Sequence, residues 1–224
     1  LFSRNYEYVI GADGKRSIVK EKILQKDQES ISYNMHLSLS DYHIESDLPT
    51  NSVSYFIYDH TFIVVVPLGG KKFRFVVKHD GSPLKNDNAD LKVKVIILKN
   101  IEGLKITSDS TWFSQASLYN SISHKLSQDN LFIIGDAAHL YPPIGGTGMN
   151  TGIQDALNLA WKIAFVYHEI SDESLLEQYQ LERLPAIKKA ADLADLSTRL
   201  ITRSESDHPL LEALAPRMSN RENM

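Results

Sequence analysis

The segment IIGDAAHLYPPIGGTGMNTG, residues 133–152, sets an acid close behind a short apolar run and follows it with two prolines and a cluster of glycines. Leu131 to Ile134 has the length and composition of a buried strand, so Asp136 stands at its carboxyl end, where open α/β sheets bind ligands. A carboxylate there can accept hydrogen bonds from hydroxyl groups. Gly145, Gly146 and Gly148 let a ligand approach the backbone, and they lead into a helix that starts near Met149. The unpaired amides and the dipole of a helix start favour negative charge. An acceptor for hydroxyls beside a site for an anion suits a polyhydroxylated, charged ligand. A plain strand-to-helix corner would also use these glycines, and composition alone leaves both readings open.

Upstream of this segment the chain is strand-rich. Tyr6 to Ile10 predicts a strand entering a turn at GADG, and Ile31, Tyr33, Met35, Leu37 and Leu39 alternate with polar residues as in a strand with one buried face. Residues 53–81 read as three strands with turns at Asp59-His60 and Gly69-Gly70. Leu91, Val95 and Leu98 fit the face of a helix that Gly103 ends, and a strand or two lie between Ile106 and His124. Downstream the pattern turns helical. Ile153, Ala156, Leu157, Ala160, Trp161, Ala164 and Phe165 fall on one stripe of a helix running to about His168. Ser171 is the expected N-cap of a second helix, which Pro185 interrupts or restarts, and Leu193, Leu196 and Leu200 mark a further amphipathic segment before the polar tail SNRENM.

The 224 residues carry a net charge of −4, with 42% hydrophobic and 23% charged side chains, an ordinary globular balance that argues against nucleic acid as the main partner. There is no cysteine, which excludes disulfides and thiolate metal sites and fits a reducing, cytoplasmic location. No apolar stretch approaches the roughly 20 residues that span a bilayer. No His, Asp and Glu cluster has metal-ligand spacing, so no metal is expected.

The stretch GDAAHLYPPIGGTGMNTGIQDALNLAWKI resembles the second flavin-binding segment of the flavin-dependent aromatic hydroxylases of the p-hydroxybenzoate hydroxylase type. YVIGADGKRSIVK resembles the same family's Asp-Gly segment, and LLEQYQLERLPAIKKA resembles the helix and Arg-Pro corner that follow. The resemblance implies FAD as cofactor and NAD(P)H as electron donor. It places Asp136 on the ribityl chain, and Pro143 with the backbone of Gly145, Gly146, Gly148, Met149 and Asn150 against the isoalloxazine ring, where amides near Met149 and Asn150 face its N1 side. Gly11, Asp13 and Gly14 match the Asp-Gly segment, which serves FAD and affects its reduction. Where the family usually has Arg, this chain has Lys20, which keeps the charge but loses the two-pronged geometry.

The implied fold is α/β: a partial, Rossmann-like FAD-binding domain, a mostly antiparallel substrate-binding sheet and C-terminal helices. Residues 1–28 and 125–170 fall to the FAD-binding domain, 29–124 to the substrate sheet and 171–224 to the helices. The implied reaction is hydroxylation of a small phenol-like aromatic with NAD(P)H and O2, with no side chain named as catalytic acid or base. A homodimer is the candidate assembly; neither nucleic acid nor membrane insertion is expected. The family's opening G-x-G-x-x-G turn has no match, so the chain reads as the C-terminal part of a longer protein. The alternatives are another flavoenzyme of this architecture and a non-catalytic binding module. His139 is expected to pack or hydrogen-bond locally, and His36, Tyr55, Tyr58, His60 and Trp112 are candidate pocket residues that serve equally well in core or surface.

Overall fold

The computed structural model describes residues 4–24, 28–58, 61–79, 88–143 and 146–202. In chain order the elements are β1 (Val9–Gly11), α1 (Ile18–Leu24), β2 (Gln28–Glu45), β3 (Ser54–Ile57), β4 (Phe62–Gly69), β5 (Lys72–His79), α2 (Ala89–Asn100), β6 (Lys105–Ile106), β7 (Trp112–Ser123), β8 (Ser127–Gln128), β9 (Leu131–Ile133), β10 (His139–Leu140), α3 (Gly148–Tyr167) and α4 (Ser174–Thr202). Two compact units form, one from the described residues within 1–32 and 119–198, the other from those within 33–118 and 199–224. The turn at Asp59-His60 and the tail SNRENM lie outside the described residues.

The second unit is an antiparallel sheet in the order β7-β2-β5-β4-β3, with β6 beside β2. Register aligns Tyr42 with Phe73, Ser40 with Phe75, Phe75 with Val65 and Val77 with Ile63, so these side chains share one face. Helix α2 closes that face with Val93 and Ile97, making an apolar core. The alternation read in β2 picks out Leu37, which is buried, and the opposite, helix-covered face of this strand carries Ser38, Ser40, Tyr42 and Ile44, all buried as well. Its polar members are partnered. The hydroxyls of Ser40 and Tyr42 donate to the Asp90 carboxylate of α2 at 3.3 and 2.6 Å. Burial, then the Asp90 bond, pushes the Tyr42 phenol well above its ordinary pKa.

Helices α2, α3 and α4 form where the sequence predicts helix, but each presents a different face, and α1 is a helix the sequence reading does not contain. In α2 the buried residues are Ala89, Val93 and Ile97, while Leu91, Val95 and Leu98 are exposed. The run LKVKVIIL offers two apolar stripes, and periodicity alone cannot choose between them. In α3 the buried residues are Thr151, Asp155, Leu159 and Lys162; Ile153, Leu157, Trp161 and Phe165 are 51, 66, 44 and 41% exposed. In α4 the buried line runs through Tyr179, Arg183, Ile187, Ala191, Ala194 and Thr198, with Leu193 and Leu196 outside. Helix α4 also passes through Pro185 without ending. Asp172 takes the capping role expected of Ser171, accepting from the Ser174 amide at 2.9 Å.

In the first unit β1 and β9 are parallel and β8 runs antiparallel to β9. Its core gathers Ile23, Phe132, Ile133, Leu159, Tyr179 and Ile187. The Tyr179 hydroxyl donates to the Ile133 carbonyl at 2.8 Å and ties α4 to the end of β9.

Candidate functional site

Parallel pairing sets Gly11 opposite Ile133, and the Ile134 amide donates to the Gly11 carbonyl at 3.0 Å. Two segments far apart in sequence therefore leave the sheet at the same carboxyl edge, where ligands of α/β sheets gather. After β1 the chain turns through Asp13 and Gly14, whose φ of +78° is left-handed. The Asp13 carboxylate accepts the Ile18 amide at 2.8 Å and starts α1. A hydrogen bond from Ser17 holds its pKa below the ordinary carboxylate value, against an opposing effect of burial and with further help from that amide. Gly11 answers a packing need, since a Cβ there would lie 2.7 Å from the Cβ of Val19 in α1. The Lys20 ammonium donates to the Lys15 carbonyl at 3.2 Å, and burial lowers its pKa.

After β9, Gly135 takes a left-handed φ of +56° and opens a single 3-10 turn, Gly135–Ala137, that leaves Asp136 exposed. Helix α3 lies directly on this turn: a Cβ on Gly152 would come 3.1 Å from the Cα of Gly135. Pro143 and Gly146 are exposed, and Gly146 has a φ of +63° with no atom within 4 Å of where its Cβ would stand. Gly148 begins α3, and Met149 and Asn150 expose its first turn. Thr147 makes no capping bond, and its buried Oγ1 has no partner among the described residues. Gly145 lies outside the described residues.

Beneath the turn is a buried polar cluster that periodicity does not reveal. His139 Nε2 lies 2.6 Å from Asp155 Oδ2, and Arg183 Nε donates to Asp155 Oδ1 at 2.8 Å. The Gly135 amide donates to Asp155 Oδ2 at 3.1 Å, and Arg183 Nη2 to the Thr151 carbonyl at 3.3 Å. His139 also stacks on Tyr141, whose hydroxyl donates to the Ile187 carbonyl at 3.1 Å. Local hydrogen bonding by His139 was legible; Asp155 and Arg183 were not, because a buried polar residue and a solvated one look alike in a helical repeat.

The candidate pocket residues of the sheet are scattered. Trp112 stacks on Arg74, which Asp41 grips through both carboxylate oxygens at 2.7 and 3.0 Å. The Tyr58 hydroxyl donates to the Asn100 carbonyl, Tyr55 is exposed, and His36 Nδ1 lies 3.1 Å from Ser117 Oγ. His60 lies outside the described residues. Among the described residues no cluster could hold a metal ion, and no helix is long and apolar enough to cross a membrane.

Comparison with known proteins places this geometry. The family model of the FAD binding domain matches residues 5–194. Pentachlorophenol 4-monooxygenase of Sphingobium chlorophenolicum is 30% identical over 188 residues, covering 81% of this chain and 34% of that protein. Among solved structures, the Diels-Alderase PyrE3 of pyrroindomycin biosynthesis superposes with a TM-score of 0.79 at 25% identity, over 94% of this chain and 46% of that one. The anhydrotetracycline hydroxylase OxyS of Streptomyces rimosus gives 0.76 at 23% identity, over 96% and 44%. The chain thus spans about a third of the curated relative and less than half of either solved chain.

Proposed function

This chain belongs to the FAD binding domain family, and from that membership we propose that it is part of a flavin-dependent monooxygenase that hydroxylates a phenol-like aromatic with NAD(P)H and O2. The observation that carries the reading is that the chain leaves one sheet edge side by side after Gly11 and after Ile133, toward Asp13 and Gly14 on one side and Gly135 and Asp136 on the other. Three features fit the ring-and-ribityl half of FAD. Asp136 offers an exposed carboxylate at that edge, Gly146 leaves its backbone open, and the Thr147 hydroxyl is buried without a partner among the described residues. A buried hydroxyl left unpaired is costly, which favours a ligand partner.

When bound, FAD supplies the redox and oxygen chemistry. The chain supplies position and electrostatics. Asp136 accepts a ribityl hydroxyl, the first-turn amides near Met149 and Asn150 favour negative charge beside the ring, and Gly11, Asp13 and Gly14 shape the adjoining edge. NAD(P)H as donor, a cytoplasmic location and a homodimer belong to the same proposal; the cysteine-free sequence supports a reducing compartment.

A second reading has one observation in its favour. PyrE3, which is 25% identical, is named for a Diels-Alder reaction, and a fold does not fix the chemistry it hosts. Turnover of the protein from its complete gene with NAD(P)H, 18O2 and a panel of phenols separates the two. One labelled oxygen atom in the aromatic product is expected. Product formed without labelled oxygen would favour the second reading.

A further inference from the structure

We propose that Asp155 is a positioning residue for the cofactor loop: its one carboxylate anchors both flanks of Asp136. This rests on the flavin reading above. Oδ2 faces the Gly135 amide at 3.1 Å and His139 Nε2 at 2.6 Å, and these two residues bracket Asp136 in the chain. Oδ1 takes Arg183 of α4 at 2.8 Å, which supplies the countercharge a buried carboxylate needs. Facing a carboxylate already bonded to Arg183, Nε2 is the donor, so the tautomer of His139 is set by Asp155. His139 Nδ1 is buried and has no partner among the described residues, so Asp155 is the bond that orients this ring.

The simpler account is that Asp155 and Arg183 only clamp α3 to α4. Lys162 argues against it. This fully buried ammonium of α3 donates to Glu182 of α4 at 2.8 Å and to Asn158 at 3.0 Å, so the helix pair has a separate polar tie. Asp155 spends one of its two oxygens on the loop instead. The close approach of Gly152 to Gly135 makes the same junction tight, so a shift in the Asp155 carboxylate is passed to the turn carrying Asp136.

Lys162→Met and Asp155→Asn test this in the protein expressed from its complete gene. Both should lower the Tm. Asp155→Asn should weaken FAD binding at least about tenfold, because its single accepting oxygen cannot serve Arg183 and the loop donors of Gly135 and His139 together, while Lys162→Met should stay within about twofold. Should Asp155→Asn fold poorly, His139→Leu removes one loop anchor and leaves the Arg183 pair; it should weaken FAD by about threefold or more. The imidazole 15N shifts give an independent readout: His139 should lose its fixed Nε2-H tautomer in Asp155→Asn and keep it in Lys162→Met. Equal FAD affinity across the variants, or losses that simply follow Tm, would overturn the positioning role. A wild type that takes up no FAD would overturn the flavin reading, and this inference with it.

Discussion

The two units hold their helices in different ways. Where α2 meets its sheet, the contact is mainly apolar, Val93 and Ile97 against Phe73, Phe75 and Val77, with Asp90 bonding Ser40 and Tyr42. Where α3 and α4 meet, the buried side chains include Asp155, Lys162 and Arg183, and the apolar stripe of α3 faces outward. Apolar packing tolerates small shifts, whereas charged hydrogen bonds fix a geometry. In the first unit the polar interior lies under the loop that would touch a cofactor. Precision is concentrated in the unit with the candidate site.

The largest expected effects test that contrast directly. Phe75→Ala should cost about 3–5 kcal/mol through the cavity it leaves. Arg183→Ala should cost a similar ~3–5 kcal/mol, because Asp155 is left buried without its partner. Urea unfolding measures both. Flavin content per folded molecule should fall only in Arg183→Ala; loss in both variants would erase the distinction between the units.

Next in size is the inverted face of α3. Leu159→Ala should cost about 2–5 kcal/mol, whereas Leu157→Gln should stay within about 0.5 kcal/mol in this chain. Thermal melts of the two variants read this out. The reverse ranking would restore the face that periodicity favours.

That inversion shows what the sequence could disclose. Most element positions were legible from apolar runs and turn residues, and the loop was legible because Asp136 and its glycines form a specific pattern. The buried faces of α2 and α3 were not, since Leu91 and Val93, or Leu157 and Leu159, are alike in kind and differ only in what the fold sets against them. Asp155 escaped notice for a related reason: its value comes from Gly135, His139 and Arg183, which sequence spacing does not bring together. Gly152 gave no local signal, because its need is another backbone, that of Gly135.

A smaller contrast concerns two glycines of one helix. Gly152→Ala should cost about 1–3 kcal/mol by pressing on the Gly135 turn. Gly148→Ala meets only the Tyr141 ring at 3.9 Å, and should lie within about 0.5 kcal/mol of wild type. Equal melting temperatures for the two would mean that α3 does not bear on the turn.

The smallest effect is a pH dependence. Hydrogen bonds from Asn158 and then Lys162 hold Glu182 below the ordinary glutamate value of 4.5. A depressed carboxylate stabilises the fold above its unfolded pKa, and that contribution fades as pH falls through the lowered folded value. Glu182→Gln should therefore narrow the stability gap to wild type as the pH drops from neutral to below 4.5. A gap that stays constant across that range would place the Glu182 bonds outside the energetics of the α3–α4 contact.

The central claim is that the loop after β9 holds the ribityl half of FAD through Asp136. Titrating FAD into the apoprotein from the complete gene, followed by flavin fluorescence, tests it most directly. Asp136→Ala should weaken binding by about 1–3 kcal/mol, roughly ten- to hundredfold, because a buried hydroxyl loses its charged acceptor. Asp136→Asn should lose less, since its amide oxygen still accepts. Wild-type affinity in Asp136→Ala, with the fold intact, would contradict the assignment.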